Sequence, residues 1–166
     1  MGWNFLGQIG IALALGMAAV GSAVGIGRAG VAAAGAWAKE GKAGQALRFT
    51  YIILVALPLS QTLYAMIVMN QMRDAMINLQ AGNTALTLAQ GGLFLGIGLA
   101  AGLGEMLSAW MQGLVGASGC RAMCESEGKG LVFIIIAMGI VETVGIFTFV
   151  FLGGLLSSEL FKVAGG

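Results

Sequence analysis

Long uncharged stretches alternate with short charged ones along this chain. No charge precedes Arg28 and none lies between Arg48 and Arg73. Glu105 stands alone between Asp74 and Arg121, and Glu142 stands alone between Lys129 and Glu159. A bilayer core takes about 20 apolar residues per helix. The pattern therefore predicts four transmembrane helices, over residues 4–37, 45–78, 84–119 and 129–161. Glycine and alanine inside them are compatible with membrane helices. Membrane strands would show as short alternating segments, and none is visible. No basic region precedes the first apolar stretch, so no cleaved signal peptide is expected. The expected fold is an all-α membrane protein of two tandem hairpins, residues 1–80 and 81–166.

The two hairpins read as a duplication. A shift of 81 residues aligns them without gaps, placing Gly10 on Gly91, Gly21 on Gly102, Gly35 on Gly116, Ala56 on Ala137 and Thr62 on Thr143. Texture repeats as well. The first and third spans are rich in glycine, whereas the second has none between Gly44 and Gly82 and the fourth carries bulky residues such as Phe133, Ile134, Phe147 and Phe151. Smooth helices let backbones approach closely, as in small-xxx-small packing. The first and third spans are therefore expected in an inner layer, with the second and fourth outside them.

Composition agrees with a membrane protein. Of 166 residues, 58% are hydrophobic and 9% charged, against about a quarter charged in soluble domains. A disordered linker, a soluble enzyme and a nucleic-acid binder, which needs a basic face, are excluded. The net charge is +1 and histidine is absent, which removes the usual general base. Cys120 and Cys124 are too few for a disulfide framework or a one-chain zinc site. Arg28, Lys39, Lys42, Arg48, Arg121 and Lys129 flank the two hairpin loops, with only Arg73 and Lys162 on the other side. Positive residues favour the cytoplasm, so both loops are expected inside and both termini outside. Arg28 and Arg48 are expected to snorkel to the cytoplasmic surface.

Glu105 and Glu142 fall within spans, where a carboxylate costs about 2.5–3.5 kcal/mol and marks a functional candidate. Glu142 lies 13 residues after Lys129 and Gln61 lies 13 after Arg48, each about 20 Å deep at the helical rise. Glu105, 16 residues before Arg121, comes to about 24 Å. These three are expected in one layer with Ser60, Thr62 and Thr143, all oxygen donors that suit a hard cation or a proton. Pro58 should kink the second span and free a carbonyl, that of Leu54 or Leu57. In the duplication Glu142 falls on Gln61, so each double hairpin carries one principal carboxylate.

With its duplicated hairpin, glycine-rich first and third spans, Leu57-Pro58-Leu59-Ser60-Gln61 and Val141-Glu142-Thr143, the chain resembles the proteolipids of V-type and V/A-type rotary ATPases. These are the rotor-ring c or K subunits. The resemblance implies a homo-oligomeric ring, non-catalytic, that moves Na⁺ or H⁺ through Glu142. It implies ion ligands at Glu142, Ser60, Gln61 and the Leu57 carbonyl, with the third-span amide position matched by Glu105 and support from Thr62 and Thr143. The implied partners are identical copies, a stator subunit presenting an Arg, a central stalk at the cytoplasmic loops, and lipid; Glu40, Lys42, Glu125 and Glu127 read as a solvated loop first and as stalk contacts second. A prokaryotic cell membrane is the implied location.

Glu105 departs from the family pattern. Two carboxylates beside one monovalent ion cannot both stay ionised cheaply, so Glu105 is expected to remain protonated and to donate a hydrogen bond. Five ligands from three helices favour Na⁺ over H⁺. Two other readings stay open: a small multidrug-type transporter, which would need aromatic residues around its Glu, and a structural, junction-forming proteolipid.

Overall fold

The computed structural model describes residues 3–81 and 85–156. Thr84, Glu159, Phe161 and Lys162, which bear on the expected spans and orientation, lie outside the described residues. The chain forms α1 (Asn4–Lys42), α2 (Tyr51–Ala56), a 3₁₀ turn (Leu57–Leu59), α3 (Ser60–Gln80), α4 (Leu88–Glu125) and α5 (Leu131–Leu156). With α2, the turn and α3 counted as one span, four helices are long and apolar enough to cross a membrane. The expected spans are all present. α1 and α4 run further toward the hairpin loops than the charge pattern indicates, ending at Lys42 and Glu125.

Local chemistry explains the boundaries. Gly44 takes a positive φ after α1, a conformation glycine adopts without a Cβ penalty. Thr87 and Gln90 form a reciprocal capping box at the start of α4, which satisfies two otherwise orphaned N–H groups. Between α4 and α5, Glu127, Gly128 and Gly130 all have positive φ. Pro58 falls in the 3₁₀ turn, where tighter winding accommodates its missing N–H.

The glycine-rich helices pack on each other. A Cβ on Gly10 would overlap the Phe94 carbonyl, one on Gly21 the Met106 backbone, one on Gly98 the backbone of Gly10, and one on Gly113 the backbone of Gly25. Only glycine permits this approach of α1 to α4, so the smooth texture is a requirement of the interface. α5 is the opposite case: among its residues Met138 and Gly145 alone are buried, while Phe133, Ile140, Phe147 and Phe151 are exposed.

The interior has three levels. One apolar cluster includes Val68, Met72, Phe94 and Ala101, and a second includes Tyr51, Leu54, Cys120 and Met138. The buried polar side chains Ser22, Gln61, Glu105, Ser108 and Gln112 fall between them along the helices. Beyond the second cluster, near the hairpin loops, Glu40 is buried and accepts from the Tyr51 hydroxyl at 2.5 Å, from the Arg48 backbone N–H at 3.1 Å and from the Arg48 guanidinium. This corrects two expectations. Glu40 is not free for a stalk, and Arg48 is held by an ion pair with Glu40 rather than simply snorkelling. A buried carboxylate is stable only when paired and hydrogen-bonded, and this loop supplies both.

Candidate ion-binding site

The polar layer is built from three helices. α4 contributes Glu105, Ser108 and Gln112 from one face, at i, i+3 and i+7, the spacing that lines side chains up on a helix. α3 begins directly after the proline turn, so Ser60, Gln61 and Tyr64 occupy its first turn and a half. α5 brings Glu142 and Gly145 one turn apart.

Glu142 accepts a hydrogen bond from the Tyr64 hydroxyl at 3.0 Å and lies 3.4 Å from the Gln112 amide nitrogen. The same nitrogen donates to the Met138 carbonyl at 3.2 Å. Gln61 donates to Ser108 at 3.3 Å, and Ser108 donates onward to the Val141 carbonyl at 3.1 Å. Ser60 donates to the Leu57 carbonyl at 3.0 Å and lies 3.2 Å from the Gln61 side-chain oxygen. The hydrogen bonds form two sets, one of Leu57, Ser60, Gln61, Ser108 and the Val141 carbonyl and one of Tyr64, Glu142, Gln112 and the Met138 carbonyl.

Three expectations need correction. Glu105 is fully buried, yet it does not make the hydrogen bond expected of it. Neither of its oxygens has a partner among the described residues. It packs instead against Gly145, where a Cβ would lie 2.6 Å from its Oε2 and 3.3 Å from Gln61 Cγ. The α4 side chain that meets Glu142 is Gln112, seven residues closer to the loop. Glu105 lies in the same layer as Gln61 and Ser108, which border the same space at Gly145. Thr62 turns to α1, donating to Ser22 at 2.7 Å. Thr143 is exposed and donates to the Ile140 carbonyl of its own helix at 2.6 Å.

Tyr64, Ser108 and Gln112 belong to this hydrogen-bonded layer, and the charge pattern does not reveal them. The available signal is helical spacing: Gln112 and Ser108 share the face of Glu105, and Tyr64 follows Gln61 by one turn. Neutral side chains carry no hydropathy signature comparable to that of a buried charge.

The network has a chemical bias. Its donors are spent on Met138, Val141, Ser108 and Glu142, while Gln112 Oε1 and both oxygens of Glu105 accept nothing among the described residues. Buried polar atoms are normally satisfied. A core left with surplus oxygen acceptors suits a cation or proton.

Comparison with known proteins adds one finding. The family model for the C subunit of ATP synthase matches residues 9–72 and again residues 95–152, together well over half of the chain. The two matched segments fall on the two hairpins. No curated protein is matched by the chain.

Proposed function

The chain belongs to the family of the ATP synthase C subunit, and from that premise we propose that it is the duplicated, V/A-type form of this rotor protein, carrying Na⁺ at Glu142. The family is that of non-catalytic, ion-translocating membrane proteolipids, which form oligomeric rings with other subunits of an ATPase. Membership removes the multidrug-transporter and junction readings. The finer assignment rests on two hairpins in one chain with a carboxylate in the second slot only.

The observation that carries the ion reading is the excess of acceptors. Glu142 of α5 is the charged ligand in this reading, with Gln112 Oε1 of α4 and Gln61, Ser60 and the Leu57 carbonyl of the second span as neutral oxygens. A proton needs one carboxyl and one acceptor, whereas a dehydrated Na⁺ uses several oxygens. Tyr64 holds the carboxylate in place by its hydroxyl. Glu105 remains the protonated neighbour, which keeps the loaded site near neutral.

In this reading α1 and α4 line the inside of the ring and α3 and α5 face lipid and neighbouring copies. Hairpin loops are cytoplasmic. Neutralised by its ion, each Glu142 crosses the lipid-facing part of the rotation at low cost. At the stator, an Arg displaces the ion, and rotation couples exchange to ATP turnover in soluble subunits. One charge moved through 100 mV corresponds to about 2.3 kcal/mol, so several copies must turn over per ATP.

The test is carbodiimide labelling of Glu142 in the purified ring across a Na⁺ titration at fixed pH. Na⁺ is expected to slow labelling strongly and K⁺ is not. Labelling that follows pH and ignores Na⁺ assigns the ring to protons. Glu142→Gln is expected to abolish ion transport in reconstituted vesicles without loss of the ring.

A further inference from the structure

α1 supplies none of the oxygens of the proposed ion site, yet it grips the turn that presents one of them. Ser22 is the only residue of α1 with a hydroxyl. It is buried, donates to the Pro58 carbonyl at 2.6 Å and accepts from Thr62 at 2.7 Å. One turn further on, Gly25 makes room for the proline ring: a Cβ built there would lie 3.1 Å from Pro58 Cβ. Positions i and i+3 share a helix face. α1 therefore meets the proline at its carbonyl and at its ring together.

These two contacts orient the neighbouring carbonyl. The Leu57–Pro58 peptide is planar and includes the ring nitrogen, and the ring locks the Pro58 φ. Seating the ring on Gly25 thus orients the plane that holds the Leu57 carbonyl. The bond from Ser22 restrains ψ, the one remaining backbone rotation at Pro58. Ser60 donates to the same Leu57 carbonyl and opens α3, so its hydroxyl and the Gln61 amide take their places from this turn.

The second hairpin lacks the whole arrangement. The 81-residue shift carries Ser22 onto Leu103, Gly25 onto Met106 and Pro58 onto Gly139, while Thr62 falls on Thr143. Donor, seat and proline are absent together. Leu103 is exposed, and Thr143, with no serine opposite, bonds within its own helix. A serine needed only for packing α1 would not be tied to the proline in this way.

We infer that Ser22 is a positioning residue of the ion site, setting Na⁺ affinity through the Pro58 carbonyl without touching the ion. This role rests on the Na⁺ reading proposed above. The second-span oxygens and Glu142 belong to separate hydrogen-bonded sets, so in that reading the ion is what joins them. Loosening the turn then weakens ion binding, while Tyr64 and Gln112 continue to hold Glu142.

The experiment follows carbodiimide labelling of Glu142 in the purified ring, in Na⁺-free buffer across pH and across a Na⁺ titration at fixed pH. Ser22→Ala is expected to raise the Na⁺ concentration that halves labelling about tenfold, because a buried acceptor loses its donor. Its Na⁺-free pH profile is expected to match that of the unaltered ring. Ser22→Thr, which keeps the hydroxyl, is expected to restore protection. Thr62→Val, which leaves the bond to Pro58 in place, is expected to have a smaller effect than Ser22→Ala. Unchanged Na⁺ protection in Ser22→Ala overturns the role of Ser22. So does a Na⁺-free profile that shifts as far as the Na⁺ titration, or a Thr62→Val effect as large as that of Ser22→Ala. If Ser22→Ala does not assemble, Ser22→Thr and Ser22→Val, equal in shape, carry the comparison: weaker protection in the valine variant supports the role and equal protection overturns it. An unaltered ring that ignores Na⁺ refutes the Na⁺ reading and the role of Ser22 with it, whereas variant results against a Na⁺-protected ring refute the role of Ser22 alone.

Discussion

Positions 61 and 64 of the first hairpin and 142 and 145 of the second are equivalent in the duplication, yet they hold opposite chemistries. The first pair is Gln61 and Tyr64, an amide and a long donor. The second is Glu142 and Gly145, a carboxylate and an empty space. The tertiary contacts join them. Tyr64 reaches the carboxylate of the second hairpin, and the space at Gly145 is filled by Glu105 of α4. The first hairpin thus contributes to the slot of the second through Tyr64 and through Gln61, which donates to Ser108 of α4. The two halves also differ at the turn before the slot, where Pro58 is matched by Gly139, so that α5 runs unbroken while the second span is interrupted.

The strongest challenge to this division is to reverse it. In the variant Gln61→Glu, Glu142→Gln the acid moves to the first hairpin with composition unchanged. Transport in reconstituted vesicles is expected to stay absent, because Tyr64 and Gln112 are aimed at position 142. Restored transport would make the two slots interchangeable.

The glycines give the next largest contrast. Gly102 of α4 has the Leu13 carbonyl 2.6 Å from a built Cβ, whereas Gly139 of α5 has open space around it. Gly102→Leu is expected to separate α1 from α4 and prevent ring formation. Gly139→Leu is expected to leave the packing of these two helices intact. Size-exclusion chromatography of both variants reads the difference, and normal rings from Gly102→Leu would remove α1 against α4 as the close-packed pair.

Tyr64→Phe sharpens the cross-hairpin contact. A hydrogen bond to a charged group contributes about 1.5–3 kcal/mol, so carbodiimide labelling of Glu142 is expected to accelerate about tenfold or more. An unchanged rate would show that the hydroxyl does not restrain the carboxylate. The smallest contrast is between the paired threonines. Thr62→Val removes a bond to Ser22 on another helix and is expected to cost about 1 kcal/mol. Thr143→Val removes an exposed bond within its own helix and is expected to change thermal stability by less than about 0.5 kcal/mol.

Much of the site is legible in the sequence where a residue type is rare in its setting. Glu142 is visible as an acid inside an apolar span, and Ser60 and Gln61 are visible beside the sole proline. Gln112 is not, because a glutamine in a long helix carries little cost and little signal. Charge alone singles out Glu105, whereas the α4 side chain hydrogen-bonded to Glu142 is Gln112. It also leaves Glu40 in solvent, because nothing local marks a partner eight residues ahead.

The amino-acid order by itself determined the four spans and the two smooth and two bulky helices, and singled out Glu142 as the candidate carboxylate. Transfer of side chains into a bilayer is nearly a sum over residues, so it can be read without coordinates. Only the tertiary structure decided which turn of α4 meets which turn of α5. That register depends on how far each helix protrudes and on the close α4–α5 contacts at Gly104, Gly119 and Gly145, which join residues far apart in the chain. An axial offset of seven residues, about 10 Å at the helical rise, is what places Gln112 rather than Glu105 beside Glu142.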